Sequence, residues 1–217
     1  MTELEQAVKK LAEESISPSG KAYHKISLAS VRQLAGEFDC SIKEVEISAL
    51  TAGIVPERYE RNLGTTGGLD GQLLLLNSRV AVIGLGGLGG LAVELLARMG
   101  VGAIVLIDGD TFSESNLNRQ ILSTEENLCQ KKAEAARDRI ARINAAVETT
   151  VITEMATGDN LEKMLQGCNL ALDCLDNLET RFLLQETCQK LGIPMIHGAI
   201  AQFYGQVSTI FPGDQGL

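Results

Sequence analysis

The run Gly84-Leu85-Gly86-Gly87-Leu88-Gly89 constrains this chain more than any other feature, because it stands between the apolar stretch Val80-Ala81-Val82-Ile83 and the helix-like segment Leu88 to Met99. A strand that turns directly into a helix needs a glycine at the turn. A second glycine lets backbone approach a phosphate, and a third lets helix pack closely on strand. The N–H groups at the start of that helix have no partner within it and face an anion. The next apolar run, Ala103 to Ile107, ends at Asp108, placed to accept hydrogen bonds from a ribose. The glycines alone would also suit a tight structural turn with a capping Asp; strand, helix and terminal acid together point to a nucleotide site.

Beyond this unit, short β-rich runs alternate with helical ones. The spacing predicts a helix from Lys131 to Ala145, a strand around Thr150 to Thr153 and a helix near Asp159 to Leu165. It then predicts a strand at Leu170 to Cys174, a helix from Leu178 to Leu191, a strand opening at Met195-Ile196, and a half-exposed strand from Gly205 to Phe211. Such alternation implies an α/β fold, a Rossmann-like doubly wound and mainly parallel sheet covered by helices on both faces. Residues 1–56 read instead as a small N-terminal helical segment ahead of the nucleotide-binding domain at 57–217. A first helix covers Glu3 to Glu14 and is ended by the breaker run Ser15 to Gly20. A helix pair follows at Ser27 to Phe38 and Ile42 to Leu50. The pair has helix-turn-helix spacing, but Ser41 to Leu50 holds one Lys against two Glu, and phosphate affinity needs clustered cations. A cap for dimerisation or partner docking fits it better than a DNA reader.

Composition narrows the function classes. With 28 acidic against 19 basic residues the formal charge is −9, which repels nucleic acid and anionic lipid, so any anion site must be local. No apolar run approaches the ~20 residues that span a bilayer, and Met1 to Glu14 is charged where a signal peptide would be apolar. The expected compartment is cytoplasmic, without membrane contact. The five cysteines form no Cys-x-x-Cys pair, so neither a disulfide framework nor a zinc knuckle is expected. Cys174 reads as an inert core thiol, and His24 and His197 as isolated side chains without metal or base chemistry.

The chemistry concentrates after the glycine loop. Asp108-Gly109-Asp110 is followed by Ser115-Asn116-Leu117-Asn118-Arg119-Gln120, then Lys131-Lys132, and an acidic strand end at Asp173 to Asn177. These groups collect at the carboxyl ends of strands, where doubly wound sheets bind ligands. A triphosphate with a metal ion calls for cations, which Arg119 and Lys132 supply, and for a carboxylate, Asp176 or Asp110. The neighbouring Lys131 leaves the lysine register open by one, and one of Asp173 and Asp176 is expected to be structural. An NAD-linked oxidoreductase accounts only for the glycines and Asp108. A noncatalytic nucleotide-binding regulator would dispense with Arg119 and Asp176.

Taken in order, Arg58-Tyr59-Glu60-Arg61-Asn62, the glycine loop, Leu106 to Asp110, Ser115 to Gln120 and Leu172 to Asn177 resemble the ThiF/MoeB/HesA family, relatives of ubiquitin-activating enzymes. The resemblance covers Pro56 to Pro212. It implies an ATP- and Mg²⁺-dependent adenylyltransferase acting on the C-terminal glycine of a small ubiquitin-like sulfur-carrier protein that ends in Gly-Gly. Carried over, Gly84, Gly86, Gly87 and Gly89 form the phosphate loop, with Gly87 against the phosphates, and Asp108 binds the ribose beside Asp110. Asn116, Arg119 and Lys132 meet the triphosphate, Gln120 flanks them, and Asp176 ligates Mg²⁺. Arg61 resembles an arginine that reaches into the partner subunit's site, which implies a homodimer. Within the family a tRNA-modifying dehydratase is the alternative. The chain lacks the paired zinc cysteines of many relatives and is expected to lack the family's usual C-terminal part; Cys129 stands where glycine is usual.

Overall fold

The computed structural model describes residues 1–17 and 19–217; Pro18, within the expected breaker run, lies outside the described residues. The chain forms two compact units, one of Met1–Asn77 with Ala145–Val147, the other of Ser78–Asn144 with Glu148–Leu217.

In the first unit, α1 (Glu3–Leu11) starts at Thr2, which forms a capping box with Glu5. Its stripe Leu4, Ala7, Val8 and Leu11 packs on a core with Val31, Leu34, Val45 and Ala49. The helix stops three residues short of the expected Glu14. Ala12 is the last residue of this segment on that core, and Glu13 to Ser15 are polar, so a further helical turn would bury nothing. Glu13–Ile16 instead becomes β1, paired antiparallel with β2 (Ala22–Ile26). Then come α2 (Leu28–Glu37) and α3 (Ile42–Thr51), the expected helix pair, the latter capped by Ser41 and Glu44. A third strand, β3 (Ile54–Pro56), lies parallel to β2. The segment thus carries a three-stranded sheet in addition to its helices. A 3₁₀ turn, Glu57–Tyr59, and helices α4 (Leu63–Thr66) and α5 (Gly68–Leu76) complete the unit. Tyr59 is fully buried and donates to Glu46 Oε2 at 2.9 Å. Burial pushes the Glu46 carboxyl up, opposed by the Arg58 guanidinium, whose Nε lies 3.2 Å from Oε1.

The second unit is the doubly wound sheet. Its elements run β4 (Arg79–Ile83), α6 (Gly87–Met99), β5 (Ala103–Ile107), α7 (Lys132–Ile143), β6 (Glu148–Ile152), α8 (Leu161–Met164), β7 (Leu170–Asp173), α9 (Leu178–Leu191), β8 (Met195–Ala201) and β9 (Tyr204–Ile210). The spatial order is β6-β5-β4-β7-β8-β9, parallel throughout except for β9, which closes as a hairpin on β8. All five residues of β5 are buried, as expected for a strand covered on both faces. Ala81, Ile83, Val105, Ile107, Ala171 and Met195 share a core with α8 and α9. The alternate residues Val80, Val82, Ile104 and Leu106 are also buried and face the side of α6 and α7. The order in which successive strands are added reverses between β4 and β7, and the crevice at the carboxyl ends of these parallel strands is where a ligand belongs.

Candidate active site

A cleft of about 950 Å³ opens at that reversal. Its floor is the glycine loop. Gly84 adopts φ +90°, and a Cβ there would sit 2.7 Å from the Cys174 carbonyl oxygen, so only glycine lets the ends of β4 and β7 approach. A Cβ on Gly89 would lie 1.8 Å from the Gly84 carbonyl oxygen, which is the close helix-strand approach expected of the third glycine. Gly86 stands at the N-cap of α6 with no side-chain cap, leaving the first N–H groups of a 13-residue helix free to meet an anion. Gly86 and Gly87 both line the cleft.

Asp108, at the end of β5, is half-buried. Its Oδ2 accepts the Leu85 N–H at 2.7 Å and its Oδ1 the Asp110 N–H at 2.8 Å. Each oxygen retains lone-pair capacity for a hydroxyl. Lys132, at the first turn of α7, is buried and directs Nζ to Asp110 Oδ2 at 3.0 Å. The neighbouring Lys131 donates instead to the Gly109 carbonyl at 2.6 Å and does not line the cleft. Arg119 is exposed at the rim, where its Nη1 is steadied by the Ser115 carbonyl at 2.7 Å. Gln120 is 6% exposed; its amide lies beside Gly86, and its Oε1 has no hydrogen-bond partner among the described residues. Such a buried orphan is costly unless a ligand satisfies it.

Asn116 is not brought into the cleft lining. Its Oδ1 accepts the Ser113 N–H at 3.0 Å and closes a 3₁₀ turn, Glu114–Asn116, that supports the Arg119 loop. Arg61 is exposed in the first unit, after the 3₁₀ turn that buries Tyr59. Of the two acids at the end of β7, Asp176 is exposed and lines the cleft, whereas Asp173, the last residue of the strand, is buried. Cys174 is half-buried, and desolvation pushes its thiol up to about 12, which suits an unreactive group. No group of three or more His, Cys, Asp or Glu poised for a metal occurs among the described residues. The exposed carboxylate of Asp176 would suit a Mg²⁺ ion held jointly with phosphate oxygens, the usual mode for that ion.

Two features of the site escaped the sequence. His197 is not isolated, because its Nδ1 lies 2.6 Å from Asp173 Oδ2. Arg181 hides in the regular pattern of α9, yet lines the cleft and donates to the Leu175 carbonyl. The β8–β9 hairpin supplies a further wall, including Ala199, Ile200, Ala201 and Tyr204, with no charged residue from Gly198 to Ser208.

The ThiF family model matches residues 59–217. The chain belongs to the ThiF family. It is 38% identical over 157 residues to the SAMP-activating enzyme E1 of Haloferax volcanii, a match covering 72% of this chain and 58% of that protein. With the molybdopterin-synthase adenylyltransferase of Salmonella typhimurium it shares 41% identity over 155 residues, covering 71% of this chain and 62% of the other. Among solved structures it is similar to the E. coli tRNA N6-threonylcarbamoyladenosine dehydratase in complex with ATP. There the TM-score is 0.59 and the identity 34%, covering 65% of this chain and 60% of that one. The chain spans about three fifths of the length of these ThiF-type relatives. Among the described residues no helix is long and apolar enough to cross a membrane.

Proposed function

We propose that this chain carries the nucleotide site of an ATP-dependent adenylyltransferase that activates the C-terminal glycine carboxylate of a small ubiquitin-like sulfur-carrier protein. The observation that carries the reading is one cleft in which an uncapped helix start, Asp108, Lys132, Arg119 and Asp176 converge. A dinucleotide would use the first two and leave the others without purpose. Names among the relatives, a SAMP-activating enzyme and a molybdopterin-synthase adenylyltransferase, support the same class.

The reaction brings a carboxylate oxygen to the α-phosphorus; the bond to the bridging oxygen breaks, and pyrophosphate leaves with that electron pair. The N–H groups of the α6 start hold phosphate oxygens, and Asp108 orients the ribose. Lys132 and Arg119 offset the repulsion between two anions and stabilise the departing pyrophosphate. Asp176 would hold Mg²⁺, which when bound neutralises phosphate charge. Arg61 would act across a homodimer, so that mixing Arg61→Ala with Asp176→Ala subunits restores activity that neither variant has alone.

The hairpin wall of the cleft, uncharged and largely apolar, favours a peptide tail without charged side chains over RNA. The ATP-bound tRNA dehydratase neighbour keeps the tRNA alternative as the second reading. Exchange of labelled pyrophosphate into ATP separates them. Exchange should depend on a carrier ending in Gly-Gly. Turnover driven by tRNA alone, or no exchange with any carboxylate, would overturn it.

A further inference from the structure

Beneath α9 lies a buried polar cluster that the chemistry above does not use. β7 and β8 pair in register so that Asp173 stands opposite His197. Asp173 is 1% exposed and His197 3%. Asp173 Oδ2 accepts from His197 Nδ1 at 2.6 Å and has Arg181 Nε at 3.6 Å; Oδ1 accepts the Leu175 N–H at 3.0 Å. Arg181 Nε donates in turn to the Leu175 carbonyl at 3.1 Å, and its Nη2 lies 3.4 Å from the Gly198 carbonyl.

A carboxylate this deep is costly to bury, and replacing it by apolar side chains would often be neutral or stabilising, so core stability alone explains it poorly. What the cluster fixes is specific. Both polar groups of Leu175 are held, the N–H by Asp173 and the carbonyl by Arg181, so two consecutive peptide planes are set immediately before Asp176. On the other side Asn177 is anchored as the N-cap of α9, accepting the Thr180 N–H at 2.9 Å. Asp176 is therefore presented to the cleft from a backbone fixed on both sides.

We infer that His197 is a positioning residue for the cleft: by orienting the Asp173 carboxylate it fixes the Leu175 peptide and, with it, the placement of Asp176. The function of Asp176 toward a metal-nucleotide complex rests on the proposed adenylyltransferase reading; the clamp itself does not.

The experiment compares the whole chain with His197→Leu, which removes the donor, and His197→Asn, whose amide can replace Nδ1. In nucleotide-free protein, amide hydrogen exchange followed by NMR should be at least about tenfold faster at Leu175 in His197→Leu. It should stay near the original at Val82 and Leu106 in the neighbouring strands, and return toward the original in His197→Asn. Calorimetry then reads ATP affinity with and without Mg²⁺. His197→Leu should keep its metal-free affinity within about twofold and lose most of the gain that Mg²⁺ brings, as Asp176→Ala does, with recovery in His197→Asn. Unchanged exchange at Leu175, or acceleration across the whole sheet, overturns the clamp. A full Mg²⁺ gain in His197→Leu overturns its effect on Asp176. Absence of any Mg²⁺ gain in the unmodified chain counts against the adenylyltransferase reading, and the exchange arm still decides the clamp.

Discussion

Asp108 and Leu85 lie 23 positions apart, and the carboxylate of the first accepts the backbone N–H of the second at 2.7 Å. The acid at the end of β5 therefore also braces the glycine loop that follows β4. One side chain thus both braces the loop and faces the cleft, so its loss removes both at once.

Asp108→Ala should weaken ATP binding by at least the ~1.5–3 kcal/mol typical of a hydrogen bond to a charged group, roughly ten- to a hundredfold. Asp108→Asn keeps one acceptor and should fall between. Calorimetric titration measures both; unchanged affinity in the alanine variant would place the ribose elsewhere.

Gly89→Ala should be poorly tolerated, because its Cβ would overlap the Gly84 carbonyl oxygen, and backbone there cannot yield without breaking the turn. A loss of about 2 kcal/mol or more in denaturant unfolding is expected. Gly36→Ala in α2 is the contrast. Its Cβ meets nothing within 4 Å, and helix propensity should add about 0.5–1 kcal/mol.

Glu94 on α6 gives the clearest pH signature. Arg139 of α7 and then Arg98 hold its carboxyl down at about 2, against an ordinary value of 4.5. A depressed folded-state value means stability that is present above about pH 4.5 and lost as pH falls toward about 2. Since both arginines are about half exposed, solvent screening limits the effect to roughly 1–2 kcal/mol. Glu94→Gln should lose that amount at neutral pH and match the original protein near the acid end; equal losses at both ends would assign the effect to packing.

Arg119→Ala should reduce the rate of carrier-dependent pyrophosphate exchange by about a hundredfold or more while changing ATP affinity little. The exposed guanidinium is best used as charge develops on the leaving group. A change confined to the Michaelis constant for ATP would make Arg119 a ground-state binder.

The second unit was legible because its signals are local and periodic. The β5 run and the helix from Leu178 to Leu191 fall where apolar pattern alone sets them, and the Gly84–Gly89 spacing carries its own stereochemistry. The hairpin of β1 and β2 was hidden because helical periodicity could be extended past Leu11 through residues that only tertiary pairing turns into a strand. Helix α5 was missed because Leu73 to Leu76, four leucines in succession, have no period to read. In the site, Lys131 and Lys132 are adjacent and chemically alike, so only the fold separates the one that meets Asp110 from the one that meets Gly109. Asp173 and His197, 24 residues apart, become neighbours solely through the parallel register of β7 and β8. Asn116 carried a site motif in the sequence, and the structure places it as the closure of the turn beneath Arg119.

Which nucleotide the cleft between Gly84 and Asp176 accepts is tested most directly by parallel calorimetric titration with ATP in Mg²⁺ and with NAD⁺. The predicted result is binding of ATP that Mg²⁺ strengthens and Lys132→Ala weakens, with no heat from NAD⁺. Tight binding of NAD⁺ with none of ATP would contradict the adenylyltransferase reading outright.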